Sequence, residues 1–363
     1  MARVDRPAGS CSPSIPAEIV FNPNWWFRNC GISFDESFYM GRRRRIEADV
    51  KMRQVLYSRF GMGKPDPSPR PTIGSQHIAG GFVVPALLGV KIRFTPDQGA
   101  EPVAQALTRA EALSLRAPDV RTTWPMSDLI ADMDALEREF GYVVGDLNTG
   151  GLLNTALELR GTRFLVDLAE DPELADHLFR AIAQTQVAVA KCIQERTGTS
   201  SISVNRSIVG VDPRIYLHGD CSVQMISPAL FRQRVLPYQQ WLAERLQPYG
   251  VHFCGGTLHK YLESYGALPL RFMDVGWGSD VARCSRALPN AFLNLRLSPV
   301  RMVQAQTTEI VEDVERILAA AGRTHDVGIC CINMDYGTPD ENITGFLEEV
   351  RVFESRLTDQ VGA

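Results

Sequence analysis

Nowhere does this chain of 363 residues approach the roughly 20 consecutive apolar residues of a membrane-spanning helix. Residues Met1 to Pro16 hold Arg3, Asp5 and Arg6 among glycine and proline, with no apolar segment of signal-peptide length. Cysteine is scarce. Cys11, Cys30, Cys192, Cys221, Cys254, Cys284, Cys330 and Cys331 are too few and too irregularly spaced for a disulfide scaffold. A reducing cytoplasm, with thiols available for a metal or a substrate, is the expected location, and no membrane partner is expected. Excess positive charge is also missing: a net charge of -4 and a pI near 5.9 argue against nucleic acid as the main partner. No internal repeat of fixed period is visible, and no low-complexity segment beyond the loop spaced by Pro65, Pro67, Pro69 and Pro71.

What is present is an ordinary globular composition, 45% hydrophobic and 22% charged, on a chain long enough for a large core. The one dense basic run, Arg42-Arg43-Arg44-Arg45, opens a predicted helix containing Glu47, Asp49 and Lys51. Such a run is read first as a solvated face and second as an anion contact.

Apolar residues at three- and four-residue steps predict helices over Pro125 to Phe140, Pro172 to Arg196, Pro228 to Leu246, Thr308 to Ala321 and Pro339 to Leu357. Short runs bounded by Gly, Pro, Asn or Asp predict strands between them: Tyr142-Val143-Val144, Ile202-Ser203-Val204, Val251 to Cys254, Phe272 to Val275, Phe292 to Leu295 and Val327 to Cys331. Strand-helix units repeated over this length indicate a parallel sheet, and an α/β, single closed (β/α)8 TIM barrel fits best. One domain over 1–363 is expected, with 1–75 an irregular N-terminal segment of loops and helices covering the top of the barrel.

The densest chemistry lies in Gly250-Val251-His252-Phe253-Cys254-Gly255-Gly256. Two residues apart on a short apolar strand, His252 and Cys254 leave the same face. A third donor is sought in Cys330-Cys331, at the end of a strand that hands over to a helix at Thr338-Pro339-Asp340-Glu341, whose order reads as a capping box. Adjacent strand residues point to opposite faces, so one of these two cysteines is expected to join His252 and Cys254. Cys331, closer to the loop, is favoured over Cys330. Such a set of soft nitrogen and sulfur donors suits zinc. The bland alternative is a hydrogen-bonded core histidine beside buried free thiols. Strand ends that precede loops are where sites are built in parallel α/β proteins, which favours the metal.

Six segments, in order, carry a resemblance: Asn24-Trp25-Trp26-Phe27-Arg28-Asn29-Cys30-Gly31; Gly89 to Phe94; Ile226-Ser227-Pro228-Ala229-Leu230-Phe231; His252 to Gly256; Asn294-Leu295-Arg296-Leu297-Ser298-Pro299, similar to a Gly-Asn-Leu-Asp-Pro stretch; and Thr338 to Ile343. By these the chain resembles the uroporphyrinogen decarboxylase superfamily over nearly its whole length, which implies a single (β/α)8 barrel. The decarboxylases of that superfamily resemble one another in an Arg-Gln-Ala-Gly-Arg stretch and an aspartate that acts on the pyrrole. Here Arg28 matches the first arginine, Ile32 stands at the second, and Gly80 falls where the aspartate is expected. The resemblance therefore points to the methyltransferase branch, which implies zinc held by His252, Cys254 and a later cysteine. Cys331 follows Cys254 by 77 positions and fits that place, with Cys330 or Cys221 in reserve. It also implies methyl transfer between a small substrate, a methoxylated compound or a thiol, and a corrinoid (methylcobalamin) on a corrinoid-binding partner protein. A decarboxylase or lyase of the same fold acting on a carboxylated substrate is the alternative.

Other polar and aromatic residues complete the expected site. Asp274, at a predicted strand end, is expected to orient the His252 ring. His218 and Asp220, in the loop before the Ser227-Pro228 helix start, are expected to join it in catalysis. Arg28, Trp25, Trp26, His77, Asn148 and Tyr216 are the expected substrate contacts. The aromatics, with Trp124 and Trp277, offer a face for an aryl ether or a corrinoid edge, or serve as core.

Overall fold

The computed structural model describes residues 15–74, 81–145, 147–199 and 211–361. Eight strands lie within them: β1 (Ala17–Phe21), β2 (Lys91–Thr95), β3 (Gly99–Val103), β4 (Tyr216–Gly219), β5 (Tyr249–Phe253), β6 (Leu270–Val275), β7 (Phe292–Arg296) and β8 (Val327–Met334). β2 and β3 form a separate antiparallel pair. The other six make one curled parallel sheet in the order β1-β8-β7-β6-β5-β4. This is an α/β fold with first and last strands adjacent, and among the described residues its curled sheet has six of the eight strands that a closed barrel requires. The predicted strand at Tyr142-Val143-Val144 supplies only an isolated bridge, Thr72 to Val144, and Ile202-Ser203-Val204 lies outside the described residues.

Both faces of this sheet are covered. β5 is buried along its whole length and β8 along all but Asn333, which explains why these strands read as apolar runs without alternation. Four strands form close to where their patterns predict, whereas β1 and β4 do not follow from pattern at all. β1 lies within the segment read as irregular: Ala17, Glu18, Ile19 and Val20 pair with Ile329, Cys330, Cys331 and Ile332. A five-residue strand with a charged second position carries too weak a period to be seen without its partner.

Helices wrap the sheet. In Thr307–Ala320 the buried residues are Ile310, Val314 and Leu318, one stripe at helical spacing. Pro172–Thr197 starts under an Asp171 side chain that accepts from the Leu174 amide. The helix predicted as continuous from Pro228 is interrupted by a π turn over Phe231–Val235 before Leu236–Arg245. Pro237 has no amide proton to give to the preceding turn, and the widened turn accommodates that loss. At the last helix, Asp340–Val361, the expected capping box does not form, since Thr338 Oγ1 is buried without a hydrogen-bond partner among the described residues. No helix among the described residues is long and apolar enough to cross a membrane.

The arginine run resolves residue by residue. Arg43 and Arg44 are exposed, as a solvated face requires. Arg45 is buried at 1% exposure and its guanidinium holds the Thr72 carbonyl, the Tyr39 carbonyl and Asp132 at 2.8, 2.6 and 2.8 Å. It ties the Arg42–Phe60 helix to the Thr72 bridge and to the Met126–Phe140 helix.

Glu158, on the helix Leu152–Arg160, is pushed by burial up to about 7, and its Oε2 has no hydrogen-bond partner among the described residues. Its folded value lies above the free value of 4.5, so the protonated form favours the folded state. That contribution is whole below the free value and is lost as pH rises through about 7. Glu158→Gln keeps the neutral form at every pH. The gain in Tm over wild type is therefore expected to be larger near about pH 8 than near about pH 5 in paired thermal melts, and an equal offset at both would contradict the buried-acid explanation.

Candidate metal centre

β4, β5, β6 and β7 end side by side, and their last residues build the site. In register, Gly219 pairs with His252, His252 with Asp274, and Asp274 with Asn294. The alternation of strand side chains then places Cys254, two past His252, on the His252 side, and Arg296, two past Asn294, on the Asn294 side. The loops after β5 and β6 approach backbone to backbone: a Cβ on Gly276 would stand 2.0 Å from the Gly255 carbonyl oxygen. Only glycine permits that contact beside Cys254.

Among the described residues, one group of potential ligands has all its donor atoms within 4.8 Å of one another: Cys221, His252 and Cys254. Two ligands of one tetrahedral zinc ion lie roughly 3.5 Å apart, so small side-chain rotations separate this arrangement from coordination. The third member is the cysteine held in reserve, not Cys331. The register explains this placement. Ile19, Cys331 and Ile329 lie in the main hydrophobic core with Leu295, on the side of the sheet that the helices cover. Glu18, Cys330 and Arg296 pair across β1, β8 and β7 on the opposite face. Neither Cys330 nor Cys331 brings its sulfur within 4.8 Å of both His252 and Cys254. Cys221 reaches them because the loop leaving β4 turns back across β5, where the Asp220 amide donates to the His252 carbonyl at 2.7 Å.

Asp274 stands behind the His252 ring. Its Oδ2 lies 2.5 Å from His252 Nδ1, and its Oδ1 accepts from the Asn294 side chain at 2.8 Å. With Nδ1 committed to a wholly buried carboxylate, Nε2 is the nitrogen left to face the two sulfurs. Burial by itself would lower the His252 pKa, and the Asp274 charge reverses this to a net rise. The Cys254 thiol is held well below its ordinary value, first by a hydrogen bond from Cys221 and then by His252. Cys221, the donor of that bond, is driven up in return. A site that releases a thiol proton readily on one sulfur and presents a tautomer-locked imidazole beside it is chemically suited to a soft divalent cation.

His218 and Asp220 lie behind this group, both wholly buried, with His218 Nε2 3.5 Å from Asp220 Oδ1. Burial drives His218 down to about 3, so it is neutral, and the Leu152 amide donates to its Nε2 at 3.3 Å. Burial raises Asp220 to about 7 even though Gln239 and Tyr265 donate to it at 2.7 to 2.8 Å. Tyr216, also buried, accepts from Thr149 at 2.9 Å.

The expected substrate contacts fare differently. Trp25 and Trp26 are wholly buried and pack on Phe21, with Phe60 beside Trp25, so they are core. Arg28 is exposed and lies 5.7 Å from the centre of the Tyr336 ring. Asn148 caps its own turn by accepting from the Gly150 amide, and His77 lies outside the described residues. Trp277, 46% exposed, follows β6 and lines a cavity of about 420 Å³ that Arg296 also borders. Sequence reasoning missed Asn294, Gln239, Tyr265 and Arg296 as site residues, although Asn294 and Arg296 stand inside a quoted motif.

The family described as Uroporphyrinogen decarboxylase (URO-D) matches residues 79–353. Among solved structures, a methyltransferase from Methanosarcina mazei superposes with a TM-score of 0.65 at 13% sequence identity, covering 95% of this chain and 95% of that one. A B12-independent methionine synthase from Shewanella sp. W3-18-1, in complex with selenomethionine, gives a TM-score of 0.51 at 9% identity, covering 96% of this chain and all of that one. No curated protein matches.

Proposed function

The chain belongs to the uroporphyrinogen decarboxylase family, and from that premise we propose that it is a zinc-dependent methyltransferase. It moves a methyl group between a small substrate, a methoxylated compound or a thiol, and a corrinoid carried by a partner protein, on a closed (β/α)8 barrel. The observation that carries the reading is the convergence of Cys221, His252 and Cys254, from two loops and a strand, within 4.8 Å. Three protein donors leave a fourth tetrahedral position for a reactant, the arrangement of a catalytic and not a structural zinc site. When bound there, zinc supplies a deprotonated thiol at neutral pH or Lewis acidity toward a methyl donor.

The chain's own residues hold and orient. Asp274, itself fixed by Asn294, sets the tautomer and plane of His252. Gln239 and Tyr265 fix Asp220, whose backbone amide fastens the Cys221 loop to β5. Neutral His218 and the buried Tyr216, Tyr249 and Tyr265 fill the interior behind that loop, while Cys221 and Cys254 themselves are half-buried. The likeness to a B12-independent methionine synthase supports a second reading, in which the methyl group reaches a thiol without a corrinoid.

Both readings meet one experiment. Elemental analysis is expected to find about one zinc per chain, and free cob(I)alamin is expected to be methylated, followed by its visible spectrum, when methoxylated aromatics, methylamines or methyl thioethers are supplied. Removing the metal abolishes transfer and zinc restores it. Transfer to a thiol without cobalt methylation selects the second reading, and full activity in the metal-free protein overturns both.

A further inference from the structure

We infer that Arg296 is an anion-binding residue of this site and that the small substrate carries a carboxylate which its guanidinium receives. The substrate identity rests on the methyltransferase reading, whereas the anion site does not.

Arg296 closes β7 and is 4% exposed. Its Nε and Nη1 are buried, with no hydrogen-bond partner among the described residues, and it forms no ion pair with any of them. A guanidinium has five N–H donors and is always charged, so a buried one left without acceptors is strongly unfavourable. Its surroundings do not supply the missing acceptors. Asp274 on the neighbouring strand engages His252 with one oxygen and Asn294 with the other. Cys330, its register partner on β8, is buried, and that burial raises the thiol well above its ordinary value, which keeps it neutral. Meanwhile the arginine is close enough to Cys254 and His252 for its charge to act on both.

The placement suits a ligand that bridges the two features. A carboxylate accepts two parallel N–H bonds from a guanidinium, the strongest and most directional pairing open to it. A molecule with a carboxylate at one end and a thiol or methyl group a few bonds away would satisfy the arginine and reach the sulfur and imidazole donors.

The test is calorimetric titration of the zinc-loaded protein with 3-mercaptopropionate and with its neutral isostere 3-mercaptopropanamide. Wild type is expected to bind the acid at least about tenfold more tightly, as for a charge-assisted pair of bonds. Arg296→Gln is expected to bind both alike, and Arg296→Lys to keep part of the preference. A parallel arm follows thermal shifts of metal-free wild type with propionate and propanamide, which separates the two claims. If no zinc binds but propionate alone stabilises, and Arg296→Gln loses that effect, the anion site stands while the metal reading falls. Without ligand, Arg296→Gln is expected to melt higher than wild type, because an unpaired buried charge has been removed. No preference for the acid in either arm, a preference retained by Arg296→Gln, or an Arg296→Gln protein that fails to fold overturns the inference.

Discussion

Cys254→Ala and Cys221→Ala are each expected to purify with little zinc and to lose more than about a hundredfold in metal affinity and in methyl transfer, whereas Cys331→Ala keeps both. Loss of an outer hydrogen-bond partner already costs about ten- to a hundredfold, so loss of a ligating sulfur costs more. The contrast with Cys331 is the sharper half of the prediction. Its side chain lies in the apolar layer between sheet and helices, and burial holds its thiol at about 12, a neutral core group. Truncating it leaves a small void and costs about 1 kcal/mol of stability with the metal untouched. Zinc content by elemental analysis decides the matter before any activity is measured: a zinc-free Cys331→Ala protein beside a zinc-replete Cys221→Ala protein would return the third donor to β8.

The other large effect is structural. Arg45→Ala is expected to destabilise the fold by about 3–5 kcal/mol, because three acceptors lose their donor at once and Asp132 loses its counter-charge. Two of those acceptors are main-chain carbonyls, which no movement of a side chain can re-satisfy. Urea denaturation is the measurement, read as a lower midpoint at unchanged slope. Arg43→Ala, on the exposed part of the same run, is expected to change stability by no more than about 0.5 kcal/mol. Equal effects at the two positions would mean that the whole run is a surface feature.

The strand that bears the histidine shows how far pattern alone reaches. Val251 to Phe253 is apolar and ends on two glycines, and the H-x-C spacing places two donors on one face whatever the rest of the chain does. The carboxylate behind the imidazole was equally readable, since Asp274 ends a similar run. The third donor was a different problem. Alternation correctly demanded that one of Cys330 and Cys331 be excluded, but nearness to the loop is no guide to which face a residue takes. That follows from the pairing of β8 with β1 and β7, and both partners lie distant in sequence. Arg296 escaped notice for a related reason: an arginine at a strand end looks like any solvent-facing end until burial shows that water does not reach it. Trp25 and Trp26 posed the same difficulty, as aromatic pairs serve core and ligand alike until their neighbours are known.

Local order belongs to the sequence by itself: the helical stripes, the capping aspartate before Pro172, the apolar strands, and a soft donor pair held at a strand's end. These follow from backbone periodicity and from the chemistry of single side chains, which act over a few residues. Tertiary structure alone decided that the Cys221 thiol of the β4 loop, and neither thiol of β8, lies beside His252 and Cys254, that Arg45 is interior while Arg43 is not, and that Arg296 is sealed in nearby. Each of these depends on which distant segments share a face and on how much water remains between them, and contact between segments is a property of the packed chain.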